Sequence, residues 1–185
     1  DGEILVSGEN IMNGYWSDPD ATSKTIIDGW VHTGDIGEFD EEEYLKITDR
    51  KKDIIVNAGG DNISPTRVEA KLDIEPEIAQ SMLYGDFKNY LVAVIVPDKD
   101  FALNWAKENG KEQKFESIVK DDDFNKLMKE VVNRVNKNLS VIEQVRKFIL
   151  IDHEFTIENS MMTVSMKVRR FAVKDKYQED LEKLY

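Results

Sequence analysis

An α+β fold in two unequal parts is what this sequence predicts, and three observations carry the expectation. Up to about Asp49 the chain breaks into short strand-like runs separated by turn-forming residues, with no helical repeat long enough to cover them. Two dense apolar runs, Ile78 to Tyr84 and Tyr90 to Val96, have the length of core strands. Phe124, Leu127, Met128, Val131, Val132, Val135 and Leu139 then recur at spacings of three and four, the pattern of a helix with one buried face.

Taken in order, Glu3 to Ser7 reads as a strand, ended by Gly8-Glu9-Asn10. Asn13 to Pro19 is turn chemistry, under which Tyr15 and Trp16 are expected to pack, and Asp18 to Thr22 starts one helical turn. Gly29 to His32 leads into Thr33-Gly34-Asp35, expected to be a tight turn. Strands near Ile36–Phe39 and Tyr44–Thr48 flank an acidic hairpin, Asp40 to Glu43. Asp53 to Asn57 is a short strand, and Ala58 to Asn62 a glycine loop. Ser64 and Pro65 have the chemistry of an N-cap and first helical residue, opening a helix to about Leu72. A second helix runs from Pro97-Asp98 to Asn109, stopped by Gly110. The clearest helix spans Asp121 to Leu139, with Asp121 to Asp123 where the helix dipole favours acids. Phe148 to Ile151 is a further strand, and Arg169 to Tyr185 a terminal amphipathic helix. No internal repeat or low-complexity tract interrupts this order.

Composition excludes several functions. The 185 residues carry a net charge of −12, against a nucleic-acid partner and against an electrostatic hold on anionic membranes. With no cysteine, disulfides, Cys-ligated zinc and thiolate catalysis are all excluded. The longest apolar run, Tyr90 to Pro97, is far short of the ~20 residues that cross a bilayer. A cytoplasmic setting is the expectation. The chain opens on a strand rather than on Met and reads as part of a longer protein.

Four constellations bear on chemistry. Asp35 on a tight turn suits a cis-diol such as ribose, and also suits capping its own backbone; the tripeptide alone favours the cap. Arg50, Lys51 and Lys52 beside Asp49 and Asp53 offer cations to a phosphate, and alone they favour a solvated hairpin with weak ion pairs. Ala58-Gly59-Gly60-Asp61-Asn62 allows a ligand close to bare backbone, but it matches neither phosphate-loop pattern, and an ordinary turn explains it equally. Lys167 follows a hydroxyl-rich loop just before a helix start, where the dipole opposes a cation, which raises the odds of a functional lysine. His32 and His153 are too few and too scattered for a metal site.

Together these segments resemble the adenylate-forming (AMP-binding) superfamily, and within it the long-chain fatty acyl-CoA synthetases. The match starts at GEILVSGENIMNGYW with Pro19 and Thr22, and continues through GWVHTGDIG and ITDRKKDIIVNAGGDNISP with Val68 and Glu69, to ENSMMTVSMKVRR. It covers essentially the whole chain in order. Any one motif is weak, whereas four in register are specific. The resemblance implies that residues 1–49 are the last, β-rich strip of a large N-terminal domain. Residues 50–185 would then be a small mobile C-terminal α+β domain, with its hinge near Lys52. It implies the ligation of fatty acid to CoA: a carboxylate attacks ATP to give acyl-AMP and pyrophosphate, and the CoA thiol then displaces AMP.

The resemblance also implies roles. Asp35 holds the ATP ribose hydroxyls with Arg50 assisting; Lys52 is the hinge; Lys167 bridges the fatty carboxylate and the α-phosphate; Gly59 and Gly60 line the pantetheine tunnel after domain rotation. ATP and Mg2+ would be bound mainly by the N-terminal domain, whose phosphate loop and magnesium-binding Glu are not in this chain, so these residues alone are expected to be inactive. Family members often pair as dimers, and some lie peripheral to membranes. Two departures bear on the branch. Thr163-Val164-Ser165-Met166 stands where long-chain members commonly have Thr-Pro-Thr-Leu, and Met166-Lys167 replaces the Gly-Lys of other branches. The helical insert from Phe101 to Leu139 also favours the long-chain branch. A ligase for another carboxylate, such as a fatty acyl-AMP ligase or a medium-chain enzyme, is the nearest alternative. A non-catalytic α+β interaction module is the more distant one, disfavoured by the presence of both Lys52 and Lys167.

Overall fold

The computed structural model of the chain describes residues 2–185, which divide into two compact units at Ile54/Ile55. In the first unit, β3 (Trp30–Phe39) is the spine of a four-stranded sheet. Strands β1 (Glu3–Val6), β2 (Ile26–Ile27) and β4 (Leu45–Arg50) all pair with it antiparallel. Among the described residues one α-helix, α1 (Pro19–Thr25), belongs to this unit, with Asp18 as its N-cap accepting from the Ala21 N–H at 2.9 Å.

Two expectations are corrected here. Thr33-Gly34-Asp35 is not a turn but an irregularity inside β3: the register with β1 slips between Glu3 and Leu5, and Gly34 takes up the distortion at φ +70°. Tyr15 and Trp16 do not pack beneath their loop, and Trp16 is 97% exposed. The physical reason is the same for both rings: α1 buries no residue, and among the described residues of this unit only Asp49 is fully buried, so there is no core to receive them.

The second unit, Ile55–Tyr185, is built on a three-stranded sheet in the order β7 (Ile78–Tyr84), β8 (Leu91–Pro97), β9 (Val145–Leu150). Strands β7 and β8 form an antiparallel hairpin; β8 and β9 are parallel, joined through α3 (Lys99–Glu108), α4 (Phe115–Ile118) and α5 (Asp122–Asn136). A short hairpin, β5 (Ile55–Val56) with β6 (Asn62–Ile63), precedes α2 (Pro65–Leu72), and α6 (Arg170–Glu182) closes the chain.

The central strand explains its own composition. Side chains alternate across a strand, and β8 is covered on both faces. Leu91, Ala93 and Ile95 enter one cluster with Val68 and Leu72 of α2 and the inner face of α5. Val92, Val94 and Val96 enter another with Val173, Tyr177 and Leu181 of α6. Each fully buried Val, Leu or Ile among them contributes about 1.5–3 kcal/mol. A strand buried on both sides therefore reads as a continuous apolar run, as this one does.

Helix α5 ends three residues before the apolar repeat does. Asn136 is the cause: its side chain donates to the Val145 carbonyl at 2.8 Å and accepts from the Val145 N–H at 2.9 Å, fixing the start of β9 against the helix end. Asp53 likewise leaves the expected strand for a one-turn 3-10 helix, Lys51–Asp53.

Candidate functional site

In the first unit, Asp35 and Arg50 are cross-strand partners in the β3–β4 ladder, and Arg50 Nε lies 3.1 Å from Asp35 Oδ1. The other carboxylate oxygen of Asp35 has no hydrogen-bond partner among the described residues. The distortion that presents Asp35 is held from both sides. Thr33 Oγ1 donates to the Ile4 carbonyl at 2.8 Å and accepts from the Asp35 N–H at 3.1 Å. The capping reading for Asp35 is thus taken by Thr33, which leaves the carboxylate for other use.

Glu3, which no sequence motif singles out, organises this region. Its carboxylate takes the Gly34 N–H at 3.1 Å, His32 Nδ1 at 3.1 Å and Lys51 Nζ at 2.9 Å. The Lys51 ammonium first, and His32 next, hold its pKa down at about 2. The three-cation run therefore splits: Arg50 goes to Asp35, Lys51 to Glu3, and Lys52 is exposed in the 3-10 turn with no side-chain partner among the described residues.

In the second unit, the glycine loop is braced. The Asn57 and Asp61 side chains cross it, Asn57 Nδ2 donating to Asp61 Oδ2 at 3.0 Å and the Asp61 N–H to Asn57 Oδ1 at 2.9 Å. From outside, Asp86 accepts the Val56 N–H at 3.1 Å and the Lys88 carbonyl accepts the Ala58 N–H at 2.9 Å. Gly60 needs its missing side chain for φ +86°; a Cβ on Gly59 would meet Asn57 Oδ1 at 3.2 Å and Asp61 Oδ2 at 3.3 Å, so the two bracing side chains would have to give by a few tenths of an ångström. Both glycines are exposed, so a ligand can reach bare backbone here.

Lys167 sits at the end of a small closed loop. The Thr163 N–H donates to the Lys167 carbonyl at 2.8 Å, and the Lys167 N–H to Thr163 Oγ1 at 3.1 Å. The lysine side chain is exposed and without a partner among the described residues. Upstream, Asn159 ties the approach by accepting the Thr156 and Met161 N–H groups and donating to the Glu154 carbonyl. Downstream, the Arg169 N–H donates to the Met161 carbonyl at 2.7 Å. Met166 has φ +60°, a conformation that glycine adopts freely, which gives a physical meaning to a glycine at this position.

Sequence reasoning missed a second group. Arg170 forks onto Glu69, with Nη1 donating to Oε1 at 2.5 Å and Nη2 to Oε2, while Glu69 Oε1 also accepts the Leu83 N–H at 2.7 Å. Glu69 belonged to a quoted motif, but its partners are remote in sequence. His153 stands between Asp152 and Tyr177, and among the described residues no three His, Asp or Glu gather to hold a metal.

The structure thus brings Asp35 and Arg50 together in one unit and places Gly59, Gly60 and Lys167 in the other. Residues 52–185 match the sequence profile of the AMP-binding enzyme C-terminal domain. The chain belongs to this family. Long-chain-fatty-acid–CoA ligase FadD15 of Mycobacterium tuberculosis is 37% identical across 100% of the chain, and the human long-chain-fatty-acid–CoA ligase 1 is 34% identical across the same span. The chain spans 31% and 27% of those ligases' lengths. Among solved structures, the adenylation domain of a carboxylate reductase from Mycobacterium chelonae superposes with a TM-score of 0.84 at 28% identity, covering all of this chain and 27% of that one. The A-PCP didomain of a Segniliparus rugosus carboxylic acid reductase, solved in complex with AMP, gives 0.78 at 27% identity. The α+β architecture is accordingly that of adenylate-forming enzymes.

Proposed function

We propose that this chain is the C-terminal part of an ATP-dependent long-chain fatty acid–CoA ligase. Residues 1–49 would be the closing strip of its large domain and residues 50–185 its mobile domain, hinged near Lys52. The observation that carries the reading is alignment of the whole chain, at 37% identity, with a protein of that name. A four-stranded sheet with no buried apolar side chain supports it, because such a sheet is not stable on its own and suits a strip of something larger.

In the adenylation half-reaction the fatty carboxylate attacks the α-phosphate of ATP, forming the acyl–phosphate bond and releasing pyrophosphate. Asp35 accepts the two ribose hydroxyls through its free oxygen and Arg50 fixes the carboxylate's orientation. Lys167 extends its unpaired ammonium to the attacking carboxylate and the α-phosphate, where negative charge builds in the transition state. Mg2+ neutralises the triphosphate when bound, with ligands supplied from outside this chain. In the second half-reaction the mobile domain turns about Lys52, Lys167 withdraws, and the Gly59–Gly60 backbone lines the path of the CoA arm, whose thiolate displaces AMP. No helix among the described residues is long and apolar enough to cross a membrane; a cytoplasmic setting is part of the proposal.

The test is a fatty-acid panel offered to the full-length enzyme, following pyrophosphate release and CoA consumption. Long-chain acids are expected to turn over best. Lys167→Ala is expected to slow acyl-AMP formation by about a hundredfold or more while sparing thioester formation from supplied acyl-AMP. Equal losses in the two halves would refute the role given to Lys167, and a preference for short or aromatic acids would refute the substrate class.

A further inference from the structure

The Glu69–Arg170 pair takes no part in the chemistry above, and neither end suits its own helix. Arg170 is the first residue of α6, where the helix dipole opposes a cation; Glu69 is in the second half of α2, where it opposes an acid. The pair is nonetheless largely withdrawn from water, its side chains 22% and 10% exposed. Desolvating two charges is not in general a source of stability. A two-pronged guanidinium–carboxylate contact does one thing that apolar packing does not: it fixes orientation as well as distance.

What it orients follows from its place in the chain. Arg170 comes three residues after Lys167, and Glu69 is on the helix into which the glycine loop leads. Glu69 is itself fastened to the sheet through the Leu83 N–H. The glycine loop has separate braces in Asp86 and Lys88, and α2 keeps its Ser64 cap. The downstream arm of the Lys167 loop is held by its own closure, by the Arg169–Met161 backbone bond, by the Met162–Val168 bridge and by Arg169 Nη1 donating to the Ser160 carbonyl at 3.1 Å, all of them contacts within residues 161–169 and Ser160; the Glu69–Arg170 pair adds a tie from the start of α6 to α2 and, through Glu69, to β7.

We propose that Glu69 and Arg170 are positioning residues for Lys167, anchoring the start of α6 to β7 so that the lysine loop keeps a fixed origin on the domain. The inference rests on the adenylation role proposed for Lys167. It predicts a selective defect, because the pair governs the lysine loop and not the glycine loop.

The test uses the full-length ligase. Arg170→Lys keeps the charge and loses the fork. It is expected to lower kcat for acyl-AMP formation about tenfold, with KM for ATP and thioester formation from supplied acyl-AMP each within about twofold. Glu69→Gln keeps an acceptor for the Leu83 N–H and loses the carboxylate; it is expected to show the same split. Equal losses in both half-reactions, no loss in either, or failure of both variants to fold would make the pair merely structural and overturn the inference. Lys167→Ala, assayed alongside, separates the two readings. If it leaves adenylation intact, the role of Lys167 fails; if it abolishes adenylation while Arg170→Lys and Glu69→Gln do not slow it, only the positioning role fails.

Discussion

Asp73 closes α2 as an exposed residue whose carboxyl turns inward, accepting the Ser81 hydroxyl at 2.7 Å. Partial burial pushes its pKa up to about 6; the Ser81 hydrogen bond opposes the rise and the charge of Glu69 adds to it. The folded state therefore favours the protonated acid. This contribution to stability is complete below the ordinary value near 3.8 and is lost as pH climbs through about 6. Asp73→Asn is expected to flatten that part of the profile and to stabilise the chain above pH 6, by no more than ~1 kcal/mol after screening by solvent. Urea unfolding midpoints across the window check it, and a wild-type midpoint that rises with pH there would contradict it. Residues differ in how openly the chain announces them. Asp35 and Lys167 stand in recognisable motifs. Glu3 lies in the quoted opening segment but nothing local singles it out, because the groups it binds, His32, Gly34 and Lys51, reach it only once β1 has paired with β3.

At the scale of elements, caps and periodicity did most of the specifying. Ser64 accepts the Arg67 N–H, Asp98 the Phe101 N–H, and Asp121 those of Asp123 and Phe124, so three helix starts lie where the residue types put them. The helix face read from the three-and-four spacing is the one that is buried, with Phe124 fully enclosed and its ring 5.0 Å from that of Trp105. Phe124→Ala is expected to cost about 3–5 kcal/mol. A urea midpoint lowered by much less would mean that the cavity collapses. Elements fixed by remote partners were not legible. Gln80 holds the segment after β9 as a strand would, its amide accepting the Phe155 N–H at 2.6 Å and donating to the Phe155 carbonyl at 3.2 Å. Nothing local to either residue encodes that pairing.

For the whole molecule, the question is which movements the chain allows. Lys52 lies in the 3-10 turn Lys51–Asp53, next to the boundary between the units. Proline there would hold φ near −65° and restrain the residue before it. On the function proposed above, Lys52→Pro in the full-length protein is expected to slow thioester formation at least tenfold and leave acyl-AMP formation within about threefold. Normal rates in both half-reactions would sink the hinge assignment. The sequence by itself determined the α+β class, the places of β7 and β8, the starts of α2, α3 and α5, and the buried face of α5. Those features depend on side-chain spacing and on residue types within a few positions of one another. Only the tertiary structure decided that Thr33-Gly34-Asp35 is a distorted strand, that Glu3 holds it, and that Glu69 and Arg170 meet. Each of these depends on contacts between residues distant in the chain, made by strand pairing and helix packing that no local pattern encodes.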